Sequence, residues 1–182
     1  VHSHTVKNFA EGLSEFDGQP GFLLHTGDRL HHSQWDSLLF DYGRDETKRF
    51  LLSNIAYWLT EFQFDGFRFD GITSMLYLHH GDTAFDHYDK YFHHGVEWDA
   101  VTYLQLANTL IHEVRPDAVS IAEDFSGMPG LCRAPEDGGL GFDYRLGMGV
   151  PDFWIEQLKH TPDEQWNLHQ ISIRAESPPE RN

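Results

Sequence analysis

Asp70 and Glu123 are the residues of this sequence best suited to chemistry, because each carboxylate closes a short strand-like run. In Phe64–Gly71 successive side chains alternate between faces, so Gly66, Arg68 and Asp70 share one face and Phe67 and Phe69 the other. The aromatic face wants a layer of helices. The face with Arg68 and Asp70 needs a polar cavity, or burial would carry a heavy desolvation cost. In Ala118–Asp124 the same alternation groups Val119, Ile121 and Glu123, again ending in a carboxylate. Two carboxylates on neighbouring strand ends suit glycosidic chemistry, in which one attacks or stabilises the anomeric carbon and the other protonates the leaving oxygen. Arg68, on the face of Asp70, would hold that carboxylate in place. The competing reading of the same residues is a purely structural Arg68–Asp70 ion pair.

Other polar and aromatic residues carry weaker signals. His2/His4, His31/His32, His79/His80 and His93/His94 are mostly adjacent pairs and lack the spacing that puts two ligands on one helical face, so no metal site is expected. Asp124 alternates away from Glu123 and is expected to accept hydrogen bonds on the helix or loop side. Trp35, in a loop, is a candidate platform for a sugar ring. Trp58, on a helical stripe, is expected in the core.

The elements that must position these groups follow from the pattern. Asp45–Phe62 reads as a helix, with Asp45 and Glu46 at its start and Phe50, Leu51, Ile55, Trp58, Leu59 and Phe62 along one side. Ala100–Val114 reads as a second helix, stopped by Pro116. Phe142–Leu146 is a possible third strand and Phe153–His160 a further helix. Val1–Leu24 reads as mostly loop, Leu23–Tyr42 as a long loop, Gly71–Asp99 as irregular and Gly127–Gly141 as a Gly/Pro-rich loop. Strands alternating with helices imply βαβ units and a parallel sheet. Long segments follow the strands, while the helix-to-strand joins are short. That asymmetry favours an α/β barrel with its active face at the strand C-termini. A doubly wound sheet is the alternative, but no GxGxxG or GxxxxGK[ST] turn occurs.

Composition narrows the partners. The 29 acidic against 13 basic residues give a net charge of −16, which argues against nucleic acid or an anionic membrane as partner. No apolar run of about 18 residues is present. The single Cys132 leaves no intrachain disulfide, fits a reducing compartment, and makes a cytoplasmic location the expectation. Val1-His2-Ser3-His4 has no signal-peptide layout and reads as an internal starting point.

Longer runs around these residues carry a resemblance. Asp65-Gly-Phe-Arg-Phe-Asp-Gly-Ile-Thr-Ser-Met-Leu-Tyr-Leu-His-His-Gly81 closely resembles glycogen/starch branching enzymes of the α-amylase superfamily, of the long, eukaryote-like type. So do Ile121-Ala-Glu-Asp-Phe-Ser-Gly-Met-Pro129, and Gly141-Phe-Asp-Tyr-Arg-Leu146 followed by Pro151-Asp152. The resemblance implies a partial (β/α)8 TIM barrel, running from the end of the third barrel strand to about the sixth and its helix. It spans residues 1–167, with 168–182 a divergent tail that frays over Arg174–Asn182. It also implies cleavage of α-1,4-glucan with retention and transfer of the chain to a C6 hydroxyl, with no cofactor. Asp70 matches the nucleophile, Glu123 the general acid/base and Arg68 the arginine supporting the nucleophile. His4 matches the histidine closing the family's Asp-Val-Val-His-Ser-His stretch, which contacts the sugar. The Asp opening that stretch, and the later His-Asp pair holding the third carboxylate, do not occur in the 182 residues. The expectation is therefore a piece of a longer enzyme, inactive in branching by itself. An α-glucan hydrolase of the same superfamily and a non-catalytic glucan-binding fragment are the alternatives.

Overall fold

Three parallel strands, β3 (Gly66–Phe69), β4 (Val119–Asp124) and β5 (Tyr144–Gly147), form the sheet that carries the carboxylates, in the order β3-β4-β5. The computed structural model describes residues 1–8, 12–15, 17–18, 21–169 and 171–172. Arg68 lies opposite Ile121, and Glu123 opposite Leu146. On the free side of β3, His2 and Asp70 form a parallel bridge, with the Asp70 amide donating to the Val1 carbonyl at 2.8 Å. The chain's first residues thus run along the edge of β3.

Helices cover the aromatic side of this sheet. α1 (Asp45–Thr60) buries Leu51, Ile55 and Leu59, and α3 (Trp98–Val114) buries Tyr103, Leu104, Ala107 and Ile111. Both helices precede a strand, and the return turns are short. Arg115 bolts the two turns together: its Nη1 donates to the carbonyls of Gln63 and Phe64, both at 2.8 Å, and its Nη2 pairs with Asp65 at 2.7 Å. The β3–β4 approach depends on Gly66, whose φ is +151°. A Cβ there would lie 2.0 Å from the Val119 carbonyl oxygen. Phe69 is fully buried and meets Phe142 edge-on at 5.2 Å, as the alternation requires.

On β4 the alternation holds as well. Ser120, Ala122 and Asp124 are buried under the helices, while Val119 and Ile121, on the face of Glu123, are half-buried. The Asp143 carboxylate accepts from the Ser120 amide at 2.8 Å and fixes the neighbouring strand.

Several expectations are corrected. The segment expected as a long loop over Leu23–Tyr42 contains β2 (Ser37–Leu39), antiparallel to β1 (His4–Val6). Its Leu38 and Leu39 are buried; three residues are too few for a visible period. The region expected irregular after Gly71 opens with a buried helical turn, α2 (Ile72–Leu76). The helix expected over Phe153–His160, α4 (Gly149–His160), begins before Pro151, because proline is tolerated in a first turn whose amide is unpaired anyway. Trp58 is half-buried, not core, and meets Phe62 and the exposed Phe64 in tilted contacts at 4.6 and 5.0 Å. α1 stops at Thr60, so this aromatic cluster sits at the open end of the helix. The expected fraying of Arg174–Asn182 concerns residues outside those described.

Candidate active site

Asp70 and Glu123 emerge at the same end of adjacent parallel strands, and one guanidinium joins them. Arg68 Nη2 lies 2.9 Å from Asp70 Oδ1 and also contacts Glu123 Oε2. The Arg68 side chain is 56% exposed and that of Glu123 only 11%, so the basic partner is the movable one. The second oxygen of Asp70 faces the amino-terminal edge, where His2 Nδ1 lies at 2.9 Å. Both carboxylate oxygens of Asp70 therefore have a donor.

His4 and Trp35 form the adjoining wall. Their rings lie 5.1 Å apart, and burial lowers the His4 pKa, assisted by nearby His2 and opposed by Asp70. A neutral imidazole at this place can donate one hydrogen bond and accept another. Trp35 is 42% exposed on one side and stacks on His32 on the other, with ring centroids 4.3 Å apart and planes within 4°. It also presses against Gly71, which has φ +60°; a Cβ there would come within 2.9 Å of the indole. His32 is buried and fixed at both nitrogens. Nδ1 accepts from the Gln34 amide at 3.1 Å, which places the proton on Nε2, 3.0 Å from Ser74 Oγ. Burial, followed by the neighbouring His80 and His4, lowers its pKa to about 4, so it is neutral at physiological pH. Trp35 thus stands on a rigid, uncharged pedestal.

Beside Trp35 opens a cleft of about 660 Å³, lined by Gly71, Thr73, Ser74, His80 and Phe125 among others. Its floor is organised by Asp124. That carboxylate is buried and accepts from Thr73 Oγ1 at 2.6 Å, Ser126 Oγ at 2.7 Å and the Gly127 amide at 2.9 Å. Asp124 thereby joins the turn after β3 to the turn after β4.

All five residues singled out from sequence, Asp70, Glu123, Arg68, His4 and Trp35, fall in this one region. His2 and His32 are the residues that pattern reading undervalued. His2 and His4 are two apart in sequence, which was the available signal, and across the bend at Ser3 their rings lie 5.9 Å apart. For His32 no local pattern distinguishes a pedestal from a loop histidine. The arrangement can hold a sugar face against an apolar ring while presenting two carboxylates to its anomeric centre.

No family model matches the chain. It is 53% identical over 177 residues to a 1,4-alpha-glucan-branching enzyme of Solanum tuberosum, a match covering 94% of this chain and 21% of that protein. A 1,4-alpha-glucan-branching enzyme of Felis catus is 54% identical over 173 residues, covering 94% of this chain and 25% of that protein. Among solved structures, an alpha-amylase from Geobacillus thermoleovorans complexed with acarbose aligns with TM-score 0.45 and 14% identity, over 70% of this chain and 25% of the other. The chain spans about a quarter of the length of the curated relatives it matches, and over nearly all of its own length it is a relative of the 1,4-alpha-glucan-branching enzymes.

Proposed function

We propose that this chain carries the nucleophile and the acid/base of an α-1,4-glucan branching reaction, on a segment of a (β/α)8 barrel running from the end of the third strand to about the sixth. The observation that carries the reading is the single Arg68 guanidinium shared by Asp70 and Glu123 at adjacent strand ends, beside the Trp35 cleft. Asp70 attacks the anomeric carbon while Glu123 delivers a proton to the departing O4, leaving a covalent glycosyl-enzyme. Glu123 then takes the proton from a C6 hydroxyl of a second glucan, which displaces Asp70 and creates the α-1,6 linkage. Net retention follows from two inversions.

The other residues have matching tasks. Arg68 holds Asp70 in line and must release Glu123 before that carboxyl can carry a proton. Its exposure leaves it free to do so. His4, neutral, is suited to hydrogen-bond a sugar hydroxyl, and Trp35 to bear the apolar face of a ring. Transfer to a hydroxyl, instead of water, distinguishes branching from hydrolysis: the former yields α-1,6 linkages without new reducing ends, the latter raises reducing ends.

Two measurements test this. Titration with a linear maltooligosaccharide is expected to show binding that Trp35→Ala weakens roughly tenfold, the order of a lost ring stack. Incubating Glu123→Gln with an α-glycosyl fluoride, whose leaving group needs no proton, is expected to leave a glycosyl adduct on the peptide containing Asp70. Glucan binding without any adduct would replace the catalytic reading with a glucan-binding role.

A further inference from the structure

We infer that His2, His4 and Asp70 form a binding site for a divalent transition-metal ion of the zinc type, centred on the carboxylate proposed as nucleophile. One ligand atom from each of the three lies within 4.8 Å of the others. The two histidines flank a bend at Ser3 that leaves their ring centroids 5.9 Å apart, and Asp70 forms the parallel bridge with His2. Zinc bound tetrahedrally places its donor atoms about 3.3 Å apart, so the cluster has to contract only modestly. His2 supplies that movement, since its side chain is 64% exposed.

The charges also fit. Arg68 engages Asp70 through Oδ1, leaving Oδ2 towards His2, and the contact with Glu123 offsets the guanidinium's charge. Two imidazoles with one carboxylate select zinc, cobalt or copper over magnesium and calcium, which prefer all-oxygen shells. Three protein ligands leave a fourth position for water. The consequence for catalysis rests on the reading of Asp70 as nucleophile: an ion there occupies the lone pair needed for attack, so zinc is a reversible inhibitor competing with glucan. Binding itself does not depend on that reading.

The test is calorimetric titration of the unmodified chain with Zn2+, with Mg2+ as reference. One Zn2+ per chain is expected, with no comparable Mg2+ binding. His2→Gln and His4→Gln should each weaken Zn2+ at least roughly tenfold, as loss of groups at a metal centre does. His93→Gln, at the separate pair of His79 and His93, whose ring centroids lie 6.0 Å apart, should leave the affinity unchanged. In the unmodified chain, Zn2+ should shift the ring proton resonances of His2 and His4 first, a readout independent of any variant's folding. Affinity unchanged from the parent chain in both the His2 and His4 variants, or first shifts at His79 and His93, would overturn the site. If the site holds but no glycosyl adduct forms on Asp70, the metal inference stands and the catalytic one fails.

Discussion

Glu123 and Asp124 are consecutive residues of one strand with the same charge, and the pleat sends them to opposite surroundings. Asp124 is 1% exposed and is held by hydroxyl and amide donors from Thr73, Ser126, Gly127 and Met128, with Arg145 Nε at 3.5 Å. Most of those donors belong to the turn that follows it, so the carboxylate and its loop form one rigid unit. Glu123 meets the guanidinium of Arg68, a long side chain with more than half its surface in water. The difference separates an architectural carboxylate from the one proposed to carry the proton. The first is held by backbone and short hydroxyl groups that cannot leave. The second is held by a partner that can.

The largest expected effect comes from breaking the architectural side. Asp124→Ala removes the acceptor shared by the Thr73 and Ser126 hydroxyls and the amides of Ser126, Gly127 and Met128, and the negative charge beside Arg145. Removing one partner of a buried charged network costs about 3–5 kcal/mol. Urea denaturation monitored by tryptophan fluorescence measures it. A loss below about 1 kcal/mol, the worth of one ordinary hydrogen bond, would mean the loop does not depend on Asp124.

This contrast was legible in the sequence only in part. Period-two alternation in Phe64–Gly71 and Ala118–Asp124 was enough to place Asp70, Glu123 and Asp124, because a strand allows only two faces. The stripes of α1 and α3 were equally plain. β2 was hidden because three buried residues make no alternation, and α2 because a single helical turn makes no stripe. Trp58 was misplaced since a helical wheel says nothing of where a helix's covering ends. The pedestal of His32 under Trp35 is a tertiary contact between side chains of one loop, with no sequence signature.

The pairing of Asp70 with Glu123 requires β3 to lie tightly on β4, and Gly66 is the test of that closeness. Gly66→Ala places a methyl against the Val119 carbonyl at a backbone angle that L residues rarely adopt. Relieving that clash moves the strands apart, at an expected cost of about 1–3 kcal/mol. The same variant should lose glycan labelling of Asp70 more than it loses stability, as the carboxylates separate. Unchanged thermal stability would show that the register tolerates a wider gap.

A smaller effect is expected at the pedestal. His32→Gln loses the ring stack and one hydrogen bond geometry, roughly 1 kcal/mol at neutral pH. It also changes the pH dependence. Because the folded-state pKa of His32 is depressed to about 4, protonation works against the fold. The stability from neutral His32 is present above the unfolded value near pH 6.5. It drains away as the pH falls from there towards about 4. Melting curves across that window should fall less steeply for His32→Gln than for the parent chain. Parallel curves would show that His32 is not the group being protonated.

The smallest effect on stability is expected where the chemistry is proposed. Glu123→Gln keeps the side chain's shape and still offers an oxygen to Arg68, which water can also solvate. Because Arg68 is more than half exposed and the amide keeps the shape and one acceptor of the buried carboxylate, the variant should melt closer to the parent than Asp124→Ala does. Its cost should fall on proton transfer: in a longer chain carrying this segment, a donor that needs acid assistance should no longer react, while an activated fluoride should still label Asp70. If Glu123→Gln instead destabilises the chain as much as Asp124→Ala does, the two neighbours are alike after all. Glu123 is then an architectural carboxylate, and Arg68 is part of the scaffold it holds.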